Sequence, residues 1–434
     1  MESQTPPPAQ DFLVTPEQLC VGLFVHIDLP WFSHPFSFNS FQIRSPDQIA
    51  TLRKLGVKHF RYDPSRSAAQ PVVPAGESLP PAPPPEPTGV SDPVQEAALA
   101  HKRERIADLA QRRRRMTEVE QAFLKSAEVM RNINGQLFAR PKECLEEANE
   151  LVSQVAIAFL DQPEISLHVM SDHSGREENY YHGLNCSILS LMLARELGIN
   201  RIDCQLMGLG ALLHDIGLAD IPDRIARARH ELSTHERRLR EAHCEFGVRL
   251  ARQIALPESI QRIIMQHHEM ADGTGYPAKL KGTQMDRLAR VVSLVNYYDN
   301  LCNPIDINKS LTPHEALSLM FAQRRSKFDA QALQIMIRCL GVYPPGTVVR
   351  LSNDTIALVA SINPAKPLRP WVTVFDPGVP KDEAIMLDLE KETEVNITKA
   401  LRPSQLAPEV YEYLSPRKRV SYYFDPNPQQ GRKA

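Results

Sequence analysis

No apolar run in this sequence approaches the ~18–20 residues that a membrane span requires. The best candidate, Leu151–Leu160, is short and interrupted by polar residues. The N-terminal segment MESQTPPPAQD has neither a basic n-region nor an apolar h-region, so no secretory signal is expected. The seven cysteines, at 20, 144, 186, 204, 244, 302 and 339, form no CxxC pair. An odd, scattered set argues against a disulfide framework and points to reduced thiols in a cytoplasmic protein. Net charge is almost lacking too: 50 Lys and Arg stand against 52 Asp and Glu, a formal −2. Such a balance argues against bulk nucleic-acid affinity, so no nucleic-acid partner is expected.

What the chain does have is proline and clustered histidine. Pro makes up 36 of 434 residues, about 8% against a usual ~5%, while Gly is only 19. Nine of those Pro fall between Pro71 and Pro93, a stretch that favours extended polyproline II and reads as a semi-rigid linker. It divides the chain into parts expected at 12–65, a small N-terminal α/β unit; 66–95, the linker; 96–164, a helical connector; 165–345, a helical core; and 346–425, a small β-rich appendage. In the first part Leu19–Val25 and Val57–Tyr62 read as strands around a short helix in SPDQIATLRKLG, capped by Ser45 or Asp47 and closed by Gly56. In the last, TVVRLSNDTIALVASI alternates and turns at Asn353-Asp354, and PWVTVFDP supplies another strand. The basic stretch containing Arg112–Arg115 is interspersed with acids and reads as a solvated helix face, and this helix is a candidate for pairing two copies of the chain.

Seven of the 14 His lie between His182 and His268. Glu178 and His182, four apart on a predicted helix, share one face. Leu212-Leu213-His214-Asp215 ends an apolar helical run in an imidazole and a carboxylate; His243 sits on another predicted helix, and His267-His268-Glu269 ends a third. Imidazoles and carboxylates in this pattern suit Mn, Fe or Zn. Adjacent His267 and His268 point roughly 100° apart on a helix and could serve two neighbouring ions. His230 and His235 lie in a polar, Arg-rich stretch and read as surface residues.

HDIG at 214–217 followed by HHEMADGTGYP at 267–277 resembles the double signature of HD-GYP domains, a subgroup of the HD metal-dependent phosphohydrolases. The N-terminal unit resembles the small domain that often precedes them. The resemblance implies a mainly α, HD-type helical bundle over 165–345. It implies two or three divalent transition metals, Fe or Mn favoured, and hydrolysis of the bacterial messenger cyclic di-GMP to the linear dinucleotide and often GMP. The family's metal positions fall on Glu178, His182, His214, Asp215, His243, His267, His268 and Asn296, with His214 and Asp215 the catalytic pair. Tyr276 and Lys279 of the GYP loop become substrate-contact candidates, and that loop a place where signalling partner proteins dock.

Three positions depart from the family pattern. The Lys that usually follows HDIG, which would place the phosphate, is Leu218, and the last metal-ligating Asp is Asn296, with the family's second Asp kept at Asp299. The loop Arg and Tyr that meet substrate are Ile305 and Ile307. Two readings of different classes result: a working phosphodiesterase, or a catalytically impaired module that senses nucleotide or binds partners. An HD phosphohydrolase acting on another nucleotide is the third.

Overall fold

In the computed structural model, which describes residues 12–29, 34–36, 38–72, 93–161, 167–170, 178–363, 366–381, 384–416 and 420–424, helices end where polar caps tell them to. The predicted first helix forms as α1 (Pro46–Lys54), with Ser45 Oγ accepting from the Gln48 N–H. Four short antiparallel strands flank it: β1 (Phe12–Val14), β2 (Phe24–His26), β3 (Ser40–Gln42) and β4 (Phe60–Tyr62), in the order β1-β4-β2-β3. Only part of each predicted strand is extended. Gly22, at φ 102°, turns the chain between Leu19 and Phe24, and Gly56, at φ 68°, turns it before β4. Leu23, Val25, Ile43, Leu52 and Phe60 close this small core. Most of the Pro-rich linker, 73–92, lies outside the described residues.

The chain divides into two compact units, one comprising Met1–Gln111, Asn353–Thr355 and Phe375–Ile385, the other Arg112–Ser352, Ile356–Val374 and Met386–Ala434. The second carries the histidines. It is built from the end of α2 (Pro93–Gln136), α3 (Pro141–Asp161), β5 (Leu167–Val169), α4 (Glu178–Glu196), α5 (Arg201–Leu213), α6 (Asp223–Ala226), α7 (Thr234–Glu241), α8 (His243–Gln253), α9 (Glu258–Gln266), α10 (Arg287–Cys302), α11 (Pro313–Gln323) and α12 (Ala330–Leu340). Asn200, Asp286 and Asp329 cap α5, α10 and α12, and the capping boxes Ser233/Glu236 and Thr312/Glu315 open α7 and α11. The protein is mainly α, as its sequence resemblance implies.

Strands β6 (Val348–Leu351), β7 (Ile356–Ser361), β8 (Trp371–Val374), β9 (Ile385–Asp388) and β10 (Ile397–Leu401) follow, then α13 (Pro408–Leu414) and β11 (Tyr422–Phe424). Their sheet runs β10-β6-β7-β5-β11, with β8 on β7 and β9 on β8. It therefore takes in a strand, β5, from before the histidine-bearing helices. One hydrophobic cluster extends from Val119 and Phe123 through Val152, Ile188, Leu213 and Ile263 to Tyr422 and Phe424. The helices before residue 165 and the last strand thus share the core that carries the site. At ~1.5–3 kcal/mol per fully buried large apolar side chain, this shared core binds those segments strongly to it.

Candidate metal centre

Each histidine sits at a helix end or face that the core fixes. His182 lies one turn into α4, whose first residue is Glu178; the Glu178 side chain is outside the described residues. His214 is the C-cap of α5, whose last turn, Gly210 to Leu213, is fully buried. Asp215 follows, then Gly217, which packs on the start of α8: a Cβ there would lie 1.9 Å from the His243 carbonyl oxygen. His243 opens α8, and His267 caps α9 with His268 next in the chain.

These side chains converge. The ligand atoms of Asp215, His243, His267 and His268 lie within 4.8 Å of one another, and those of His182, Cys186 and His214 do likewise. Asp215 joins the two groups. Its Oδ2 lies 3.5 Å from His214 Nε2 and 3.9 Å from His182 Nε2, while its Oδ1 lies 3.3 Å from His243 Nε2 and 3.5 Å from His267 Nε2. Three of the rings are oriented in one way: Nδ1–H donates to the carbonyl three residues back, from His214 to Ala211 (2.7 Å), His243 to Arg240 (2.6 Å) and His267 to Ile264 (2.8 Å). That leaves the Nε2 lone pairs aimed inward at one another and at a carboxylate. His243 and His267 Nε2 are 3.0 Å apart, and His182 and His214 Nε2 are 3.1 Å apart. Acceptors facing acceptors need a proton or a cation between them, so the donor set fits divalent metal.

Protonation follows the same logic. Burial would raise Asp215, but His214 beside it and its hydrogen-bonding contacts with His243 and His267 hold the carboxyl well below its ordinary range. Burial would lower His243; hydrogen bonding to Asp215 pushes it up to about 10. Burial holds His267 down at about 4 and His268 well below the ordinary imidazole range.

His182 is anchored differently. Its Nδ1–H donates to Oδ2 of the fully buried Asp299 at 2.6 Å, and burial of the ring is outweighed by the neighbouring Cys186 sulfur and Asp299, leaving His182 well above the ordinary range. Asn296, the eighth expected ligand, has its amide committed: Nδ2 donates to the His267 carbonyl (3.3 Å) and Oδ1 accepts from Asn300 (2.6 Å). Leu218 packs against the small apolar cluster of Ile221, Ile225 and Ala226.

The GYP loop is held by Glu269, whose fully buried carboxylate accepts from the Ala278 N–H (2.6 Å) and the Leu280 N–H (2.9 Å). Gly275 has no room for a Cβ, which would lie 2.4 Å from the Met270 nitrogen. Tyr276 stacks on His268, ring centroids 4.5 Å apart. It lines a cavity of about 390 Å³ together with Asp215, His243, His268 and Leu218. Lys279 points elsewhere: it is exposed, at φ 55°, and is not among the residues lining that cavity. His230 and His235 are both exposed, His230 at the cavity rim.

Sequence reasoning assigned no role to Cys186, Glu269, Arg237 or Arg240. Cys186 stands four residues after His182, the spacing that puts two helical side chains on one face. The two arginines precede His243 by six and three residues, an equally regular signal.

Comparison with known proteins now places the chain. Residues 164–332 match the family model described as HD domain. Residues 13–148 match a domain of unknown function (DUF3391), and 348–409 match the KOW domain associated with HD domain, which accounts for the β-rich appendage. A cyclic di-GMP phosphodiesterase of Pseudomonas aeruginosa is 27% identical over 372 residues, covering 82% of this chain and 83% of that protein. Cyclic di-GMP phosphodiesterase PdeB of Borreliella burgdorferi is 24% identical over 52% of this chain and 62% of its own length. A 3'3'-cGAMP-specific phosphodiesterase of Vibrio cholerae is 24% identical over 38% and 35%. Among solved structures, an HDG"Y"P protein from Bdellovibrio bacteriovorus aligns at 17% identity over 75% of this chain and 98% of that one, with a TM-score of 0.39. No helix among the described residues is long and apolar enough to cross a membrane.

Proposed function

We propose that this is a cytoplasmic, metal-dependent phosphodiesterase that hydrolyses cyclic di-GMP to linear pGpG, GMP or both. The observation that carries the reading is Asp215, one oxygen toward His182 and His214 and the other toward His243 and His267. His182 and His214 would hold one ion, with Glu178 and Asn296 as further ligands; His243, His267 and His268 would hold another; Asp215 would be shared. Two or three ions are expected, iron or manganese favoured. When bound, paired divalent ions activate water and neutralise phosphodiester charge. The chain's own part is to orient the Nε2 lone pairs, to keep Asp215 ionised, and to offer Tyr276 as a flat wall beside His268. The name of the Pseudomonas relative, aligned along most of its length, supports the substrate. The GYP loop, with Thr274 and Lys279 exposed, is proposed as the surface that meets signalling partners.

Leu218 and Asn296 favour a second reading, a nucleotide-sensing or partner-binding module with little turnover. The apolar Leu218 offers no charge to a phosphate, and the Asn296 amide is neutral and already engaged. Metal analysis and hydrolysis of cyclic di-GMP and 3'3'-cGAMP on one anaerobically purified sample decide between them. The enzyme reading expects at least one transition metal per chain and cleavage of cyclic di-GMP, both abolished in His214→Ala and Asp215→Ala. Metal-loaded protein that turns over only as Leu218→Lys with Asn296→Asp establishes the second reading, and absence of metal overturns both.

A further inference from the structure

The cavity over the cluster has a second, cationic wall. Between α7 and α8 stands only Ala242, at φ −67° and ψ −6°, so the helical course continues and Arg237, Arg240 and His243 recur every three residues. All three line the same cavity. The hydrogen bond from His243 Nδ1 to the Arg240 carbonyl ties this stripe to the metal-side histidine.

Neither guanidinium has a hydrogen-bond or ion-pair partner among the described residues. Four other arginines of the unit are paired: Arg249 with Asp220, Arg262 with Asp286, Arg287 with Asp203 and Arg290 with Asp329. Two unpaired guanidiniums on the wall of a cavity whose other wall is a histidine and carboxylate cluster form an anion site, since a planar fork of donors matches phosphate oxygens. Glu231 and Glu241 share the rim, and carboxylates there suit a ligand that also offers donor edges, as the guanine N2 amino group does.

We propose that Arg237 and Arg240 bind a phosphate of the cyclic dinucleotide, the one not facing the histidines, and so decide affinity for a substrate with two phosphates. This rests on the phosphodiesterase reading above and adds residues to it that replace the charge missing at Leu218.

The test is steady-state kinetics on the metal-loaded full-length protein, with calorimetric binding of the linear dinucleotide pGpG as a readout independent of turnover. Arg237→Ala/Arg240→Ala is expected to raise KM for cyclic di-GMP tenfold or more, with kcat within threefold and metal content unchanged, and to flatten the salt dependence of KM. Arg240→Lys should recover part of the loss. Arg237→Gln/Arg240→Gln, which keeps the Cβ–Cγ–Cδ stem and a polar amide but removes the charge, guards against a folding defect in the Ala pair. Arg238→Ala, exposed on the same helix and outside the cavity, should behave as wild type. Wild-type KM and pGpG affinity in both double variants would overturn the arginine subsite and leave the phosphodiesterase reading standing. Wild-type protein that binds pGpG through these arginines but does not cleave would uphold the subsite and remove the hydrolase reading. Wild type that neither binds nor cleaves removes both.

Discussion

The His182 imidazole donates from Nδ1 to Oδ2 of Asp299 across 2.6 Å, although 117 residues separate them in the chain. Asp299 is fully buried, and its other oxygen accepts from Asn185 (2.9 Å) and Asn303 (3.0 Å). Its role in this protein is therefore to fix the tautomer and tilt of one ring of the cluster. Asp299→Asn keeps the shape but removes the charge and the specified acceptor. We expect it to lower metal affinity about 10–100-fold, the usual effect of losing such an outer partner. Competition with a chelator, followed by metal analysis, measures this; affinity within twofold of wild type would contradict it.

Asn185 links that same network to the C-terminal strand. Its Oδ1 accepts from the Tyr422 N–H and its Nδ2 donates to the Val420 carbonyl, both at 2.9 Å. Asn185→Ala leaves the buried Tyr422 N–H without its acceptor, at ~1–3 kcal/mol for an unsatisfied group, while the Val420 carbonyl keeps the Asn303 Nδ2 donor (2.8 Å). A fall in Tm of roughly 4–8 °C is expected for a unit of this size. Calorimetry showing a shift under 1 °C would mean that the strand is not held this way.

Gly217 lets the turn after Asp215 press against α8. Adding a methyl 1.9 Å from the His243 carbonyl oxygen, and close to Gly247, must move the backbone that carries His243. Gly217→Ala should cost more than ~3 kcal/mol, beyond ordinary overpacking, and reduce bound metal together with it. A urea midpoint and metal content both like wild type would show that the turn has slack.

Glu315 supplies a pH-dependent element away from the cluster. Burial would raise its carboxyl, but the Thr312 N–H, Arg402 and the Thr312 hydroxyl hold it below 4.5. A depressed folded pKa stabilises above the unfolded value and loses that stabilisation as pH falls through the folded one. Glu315→Gln should therefore be less stable than wild type at neutral pH, by no more than about 1 kcal/mol for so exposed a pair. The gap should close in acid below 4.5. Denaturation at pH 7 and pH 3 tests the sign, and a gap that widens in acid would refute it.

Much of the site was legible from residue type and spacing. His214 and Asp215 at the end of an apolar helix, and His267 and His268 at the end of another, are local patterns set by the helical repeat and by capping. Their convergence around one carboxylate was an inference from number alone. The tautomers were invisible, because the carbonyls that accept from Nδ1 take their places only once each ring has settled at its helix end. Lys279, next to the GYP motif in sequence, is exposed and has a left-handed φ of 55°, a placement that its sequence neighbourhood does not announce.

Sequence by itself determined the chemistry on offer: five imidazoles and two acids at the ends or faces of helices, a Pro-rich break before the helical part, no membrane-length apolar run, and the losses at 218 and 296. These depend on residue identity and short-range periodicity, which the chain carries openly. Tertiary structure alone decided that Asp215 is shared between two groups, that Asp299 answers to His182, that Arg237 and Arg240 face the same cavity as His243, and that residues 420–424 enter the core beside Asn185. The sharing of Asp215, the pairing of Asp299 with His182 and the entry of 420–424 join segments tens to hundreds of residues apart. Burial of apolar helix faces brings them together, and no local pattern records which faces will meet.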